Sequence, residues 1–135
     1  MTASAARYLL KLSRPRFWLY LAGPVAVGVV YAAASTADLF TATTLTLFAY
    51  FLLPANVLLY GVNDVFDVDV DEENPKKEGR EVRYGGGRLV PVVVLAGGLL
   101  VLVPVALTPP LAWSCIAGFL ALGVAYSAPP LRLKT

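Results

Sequence analysis

The chain has 135 residues, of which 58% are hydrophobic and 15% are charged, and its net charge is +2. A chain this short cannot enclose that much apolar surface in water, so the composition excludes an ordinary soluble domain and indicates a protein embedded in membrane lipids. The small net charge gives no indication of a nucleic-acid partner. The absence of histidine excludes imidazole chemistry and His-based metal sites.

Four apolar runs follow one another along the chain, and each predicts a membrane-spanning helix. The first, Phe17–Ala34, would be about 27 Å long as a helix, and it leads into further apolar runs without the cleavage site of a signal peptide. The predicted helices cover about residues 17–34, 42–62, 89–107 and 111–128. The sequence therefore predicts an all-α fold, a polytopic transmembrane bundle of four helices in one membrane domain, residues 1–135.

Three prolines lie inside or near the middle of these runs, at Pro24, Pro54 and Pro104. Proline removes a backbone hydrogen bond, so each of them predicts a kink in its helix. Simple helix packing accounts for such kinks. Breaks at Pro24 and Pro54 would in addition widen a central cavity.

The basic residues predict the orientation of the chain in the membrane. All eleven Lys and Arg residues lie in the N-terminal segment, the central loop or the C-terminal tail. Positive charge marks the cytoplasmic side, so the sequence predicts a multi-pass protein of the cell membrane with cytoplasmic N- and C-termini. Asp38 and the turn around Pro109 are then expected outside.

Carboxylates are concentrated in the predicted cytoplasmic loop, residues 63–88. Asp64, Asp67 and Asp71 are spaced by three and four residues, which on a helix places them within a sector of about 60°. Carboxylates this close repel one another unless a cation joins them. Since oxygen is the ligand type available, the pattern predicts Mg²⁺, whose open positions suit the oxygens of a diphosphate.

Basic residues follow the carboxylates directly and can neutralise further phosphate charge. The candidates for substrate binding in this loop are Lys76, Lys77, Arg80 and Arg83, with Arg88 close by. An alternative interpretation is that these side chains do no more than fix the topology.

Two other interpretations of the acidic loop compete with a magnesium site. Carboxylates at 67, 69, 71, 73 and 78 match an EF-hand calcium loop, but Glu72 occupies the position where that loop needs glycine for its sharp turn. A solvated loop without metal explains the charge. It does not explain the one-sided spacing of Asp64, Asp67 and Asp71.

Three segments resemble one known family. The pattern N-D-x-x-D-x-x-x-D, residues 63–71, resembles the first aspartate-rich motif of the UbiA family of intramembrane prenyltransferases. SRPRFWLY, residues 13–20, resembles the start of that family's first helix, and YSAPPLRLK, residues 126–134, resembles the segment after its fourth. These segments occur in the family's order along the whole chain.

The resemblance implies an enzyme in which Mg²⁺ bridges aspartates to an isoprenyl diphosphate, whose ionisation leaves an allylic cation for a hydrophobic acceptor to attack. By position, the residues that would hold metal and diphosphate are Asn63, Asp64, Asp67 and Asp71. The resemblance also implies substrate contacts from Tyr126, Arg132 and Lys134. The loop 74–87 looks like that of the lycopene elongase branch, which implies a five-carbon donor and a carotenoid acceptor such as lycopene.

The family pattern also leaves other functions open. Its members have nine membrane helices and a second aspartate-rich motif, and no segment of these 135 residues resembles that motif. The alternative expectation is therefore a truncated noncatalytic membrane fragment, or an assembly partner that needs a complementary C-terminal half. A small transporter or channel would require ionisable groups within the predicted spans, which contain none.

Overall fold

The computed structural model describes residues 3–67 and 86–133, and within these ranges the chain is helical and has no strand. Short 3₁₀ turns at Pro15–Phe17 and Thr36–Phe40 join the first helices. The α-helices of these ranges are α1 (Ala3–Leu12), α2 (Trp18–Ala32), α3 (Ala42–Leu52), α4 (Pro54–Phe66), α5 (Leu89–Leu99), α6 (Leu102–Leu107) and α7 (Pro110–Ser127). The predicted all-α membrane bundle is confirmed.

Three helical stretches of the described residues are long and apolar enough to cross a membrane. They are Ala42–Phe66 with 25 residues, Leu89–Leu107 with 19 and Pro110–Ser127 with 18. The first predicted run forms α2, which has 15 residues and is about 22 Å long. Both ends of α2 lie inside the predicted range 17–34, because a 3₁₀ turn precedes Trp18 and the backbone is extended at Ala33.

The second span is broken where the sequence predicts a kink. Leu53 has φ −124° and ψ −64°, outside the helical region, and Pro54 begins α4 directly after it. Because α3 ends at Leu52, its last carbonyls need another donor. The buried side chain of Asn56 supplies it, since Nδ2 donates to the carbonyl oxygens of Phe51 and Leu52 at 3.0 Å each.

Helix α4 lies against both α5 and α7, and small residues allow this close packing. A methyl group placed on Gly61 would overlap Val94 Cγ2 of α5, and one placed on Gly97 would lie 3.0 Å from the carbonyl oxygen of Pro54. Close backbone approach at small residues is the usual way in which membrane helices gain contact. The α4–α5 contact therefore fixes the position of α4.

The amphipathic helix α1 is attached to the same pair of helices. Its last residue, Leu12, is buried against Val57 of α4 and Val90 of α5. Arg7 and Lys11 lie on the exposed side of α1. This packing brings the residues that follow α1 to the C-terminal end of α4.

Candidate active site

The predicted aspartate motif begins inside helix α4. Asn63 and Asp64 belong to its last turns, and Asp67 follows the last helical residue with φ −110° and ψ 13°. The helix end predicted at residue 62 is therefore four residues early, because α4 continues to Phe66. Asp67 has left the helix, so the single helical face predicted for Asp64, Asp67 and Asp71 ends at Phe66 within the described residues.

Asp64 is buried, with 3% of its side chain exposed, and it forms an ion pair with Arg14. The distance from Arg14 Nη2 to Asp64 Oδ1 is 3.0 Å, and the guanidinium carbon lies 4.6 Å from the centre of the Tyr60 ring. A buried carboxylate is costly without a hydrogen-bonded partner of opposite charge. Arg14 supplies that charge from the loop between α1 and α2, fifty residues away in sequence.

Asp67 forms a second pair with an arginine from the other end of the chain. Arg132 Nη2 lies 3.3 Å from Asp67 Oδ1 and donates to the carbonyl oxygen of Phe66 at 3.0 Å. This pair is more open to solvent, since 40% of the Arg132 side chain is exposed. Arg132 therefore caps the end of α4 as well as neutralising its acidic residue.

Both arginines have a left-handed backbone, with φ 50° at Arg14 and φ 38° at Arg132. Residues with a Cβ adopt this region at a cost of about 1–3 kcal/mol, and it occurs most often at functional sites. Arg132 is a predicted site residue. Sequence analysis assigned Arg14 to membrane topology alone, although it lies inside the segment 13–20 that resembles the family.

An apolar cavity of about 370 Å³ opens beside the motif, between α2, α4 and α7. At its polar end, Ser127 Oγ donates to Asn63 Oδ1 at 3.1 Å, and Ser127 is buried. Its lining residues are Arg14, Tyr20, Leu21, Leu59, Tyr60, Asn63, Gly123, Tyr126 and Ser127. The predicted residues Asn63 and Tyr126 therefore meet at one cavity, and sequence analysis missed Ser127, the direct neighbour of Tyr126.

The oxygen-rich donors at this end suit a hard cation. Asn63, Asp64 and Asp67 carry oxygen ligands. Oxygen ligands suit Mg²⁺ better than they suit zinc or copper. No group of three or more Asp, Glu, Cys or His residues within ranges 3–67 and 86–133 is placed to hold a metal. The described donors fit Mg²⁺ in kind, and the third predicted carboxylate, Asp71, lies outside the described residues.

Several other predicted site residues, like Asp71, are not described by the structure and stay predictions. They lie in the central loop or at the end of the tail, outside the described residues, and they are Lys76, Lys77, Arg80, Arg83 and Lys134.

Comparison with protein families gives a match over most of the chain. Residues 21–135 match the UbiA prenyltransferase family. The chain belongs to this family. The UbiA match includes the aspartate motif that begins on α4, the cavity residues of α4 and α7 and the segment that carries Arg132, so the family resemblance seen in the sequence is confirmed.

The relatives found among curated proteins belong to the predicted branch. The chain is 59% identical over 129 residues to a lycopene elongase/hydratase of Halobacterium salinarum, and the match covers 96% of this chain and 47% of the relative. It is 61% identical over 128 residues to a lycopene elongase/hydratase of Haloferax volcanii, covering 95% of this chain and 42% of the relative. The chain thus spans under half the length of these relatives. No solved structure gives a significant match.

Proposed function

We propose that this UbiA chain carries the donor-binding end of an intramembrane prenyltransferase that moves a five-carbon isoprenyl group from its diphosphate to lycopene or a related carotenoid. The observation that carries the proposal is that Asn63 and Arg14, the partner of Asp64, line an apolar cavity, while Asp67 and Arg132 pair at the end of α4. A polar, charged end joined to an apolar wall matches the two chemical parts of an isoprenyl diphosphate. The names of the relatives support a carotenoid acceptor.

The first task of the site is to hold a diphosphate. Asn63, Asp64 and Asp67, together with Asp71, are the proposed ligands for Mg²⁺, which when bound supplies positive charge that stabilises the departing diphosphate. Arg14 and Arg132 already lie at the carboxylates and are able to donate hydrogen bonds to phosphate oxygens. The proposed loop contacts from Lys76, Lys77, Arg80 and Arg83 would add to this charge, as would Lys134.

The second task is to protect the reacting group from water. When the bond between C1 and the diphosphate oxygen breaks, its electron pair leaves with the diphosphate and an allylic cation remains. Tyr20, Tyr60 and Tyr126 line the cavity, and aromatic rings favour a cation near their faces. A double bond of the acceptor then supplies the pair for the new C–C bond, and the acceptor cation loses a proton directly or after adding water.

The same contacts support the proposed topology. Arg14 precedes α2 and Arg132 follows α7, and both reach the C-terminal end of α4. The segment before the first membrane helix and the tail therefore meet at one end of the bundle. Together with the basic residues of these segments, this supports cytoplasmic N- and C-termini in the cell membrane.

Substitution of the motif tests the proposal directly. We expect Asp64→Asn and Asp67→Asn each to weaken Mg²⁺-dependent binding of dimethylallyl diphosphate on the order of 100-fold, since each removes a charged ligand. Calorimetry on the chain in lipid nanodiscs measures this effect. Asp38→Asn is the matched control, because Asp38 lies in the 3₁₀ turn before the helical stretch 42–66, at the opposite end of that stretch from Asp64. Unchanged affinity in both motif variants would contradict the proposed function.

The length of the relatives supports a second proposal about the partner of this chain. The matched residues correspond to under half of each relative, so we propose that a complementary C-terminal half completes the site. Co-expression with the remaining part of a relative is expected to restore prenyl transfer. If the pair binds donor but transfers nothing to lycopene, the noncatalytic alternative is favoured.

A further inference from the structure

Helices α4 and α7 meet in two successive layers at the cavity. In the polar layer, Asn63 accepts a hydrogen bond from Ser127. In the apolar layer, Leu59 lies against Gly123, since a methyl group placed on Gly123 would overlap Leu59 Cδ2. Both helices end at the same side of the bundle, and each apolar residue precedes its polar neighbour by four positions. The apolar layer is therefore one turn, about 6 Å, deeper along both helices.

The cavity lies between these two layers. Its lining residues on α4 fall within 59–63, and those on α7 fall within 123–127. Arg14 and Asn63 mark the charged end, whereas Leu59 and Gly123 mark the apolar end. Along the two helices the cavity is therefore about 6 Å deep.

This depth selects among isoprenyl groups once the diphosphate occupies the charged end. A five-carbon group is a four-atom chain with one methyl branch, which fits within about one helical turn. A ten-carbon group repeats this unit and, extended along α4 and α7, would reach past the apolar layer. The Leu59 side chain extends across Gly123 at that point, where glycine leaves room for it.

We infer that the layer of Leu59 and Gly123 sets the length of the donor, by closing the cavity to isoprenyl groups longer than five carbons. The inference rests on the proposed function, because it assumes that the diphosphate binds at Asn63 and Asp64. It assigns a specificity role to two apolar residues that carry no charge and lie one turn away from the motif.

The test compares two donors on one set of variants. Leu59→Ala opens the apolar layer, so we expect the affinity for geranyl diphosphate relative to dimethylallyl diphosphate to rise about tenfold or more. The double variant Leu59→Ala, Gly123→Leu places a leucine side chain in the same layer from the opposite helix. It is expected to restore the original preference for dimethylallyl diphosphate. Leu122→Ala removes the same atoms from a side chain that is 66% exposed on α7, and should change neither affinity.

Inorganic pyrophosphate separates failure of the inference from failure of the proposed function. Calorimetry on the full chain in lipid nanodiscs with Mg²⁺ should give equal pyrophosphate affinity in all these variants. If the unmodified chain does not bind pyrophosphate, the proposed function and the inference are both wrong. If it binds pyrophosphate and Leu59→Ala leaves the donor preference unchanged, the inference alone is overturned.

A further variant covers the case in which Leu59→Ala does not fold. Gly123→Ala crowds Leu59 toward the cavity, so we expect weaker binding of dimethylallyl diphosphate with unchanged pyrophosphate binding. Equal affinity for dimethylallyl diphosphate in Gly123→Ala and the unmodified chain would also overturn the inference.

Discussion

Two aspartates near the ends of the helical stretch 42–66 are stabilised in different ways. Asp38 is satisfied by its own neighbours, since its Oδ2 accepts from the backbone N–H of Ser35 at 2.8 Å, from that of Ala34 at 3.0 Å and from the Ser35 hydroxyl. Asp64 is buried and is paired with Arg14, fifty residues away.

The contrast separates a carboxylate that is stabilised by its own turn from one that depends on the tertiary fold. The local hydrogen bonds of Asp38 complete a capping box, and they form wherever that turn forms. The partner of Asp64 is a cation that the tertiary fold holds in place, and that cation is equally suited to a phosphate oxygen. A change at Arg14 should therefore affect the whole bundle, whereas a change at Asp38 should affect one turn.

The largest expected effect comes from removing Arg14. Arg14→Ala takes the guanidinium partner away from a buried carboxylate, which typically costs about 3–5 kcal/mol of stability. Arg132→Ala is the matched comparison, because its pair with Asp67 is more exposed and should contribute about 0–1 kcal/mol. Thermal unfolding in lipid nanodiscs measures both, and equal losses would remove the distinction between the two pairs.

A smaller effect is expected at the contact that positions α4. Gly61→Ala places a methyl group against Val94 Cγ2, and overpacking of this kind costs about 1–3 kcal/mol. Gly28→Ala is the control, because a methyl group at Gly28 meets nothing within 4 Å. If the two variants unfold at the same temperature, the α4–α5 contact does not fix the position of Asp64.

The smallest expected effect concerns acid. The backbone N–H of Ser35, its hydroxyl and the N–H of Ala34 together lower the pKa of Asp38 below its ordinary value of 3.8. A carboxyl whose pKa is lower in the folded state stabilises the fold above its unfolded pKa and loses this contribution as the pH falls through its folded pKa. Below pH 3.8, we expect the Ser35 amide to lose protection against hydrogen exchange relative to its intrinsic rate. Asp38→Asn should abolish this pH dependence of the protection. Persistence of the dependence in Asp38→Asn would assign it to another group.

Much of this architecture could be predicted because it depends on local pattern. Apolar runs predicted the membrane helices, and Pro54 predicted the break at Leu53 from the loss of one N–H. The run 17–34 gave a shorter helix than predicted, since hydropathy does not specify where the backbone leaves the helical region. The same limit explains the helix end predicted at residue 62, beyond which α4 continues for four more residues.

The site was predictable only where a residue belongs to a familiar motif. Asp64 and Asp67 were found by spacing and Asn63 by the family resemblance, whereas Arg14 and Ser127 reach the candidate site through contacts across 50 and 64 residues. Periodicity along one helix contains no information about such pairs. The contact of Leu59 with Gly123 could not be predicted either, because neither residue has a polar side chain that would indicate a functional role.

The direction of α4 and α7 has a consequence for cation binding that does not depend on side chains. Both helices point their C-terminal ends toward Asp64, and a helix C-terminus behaves as about half a negative charge. The backbone therefore adds a negative potential at the place where the carboxylates gather. This potential favours the guanidinium groups of Arg14 and Arg132, which lie at the same end of the bundle.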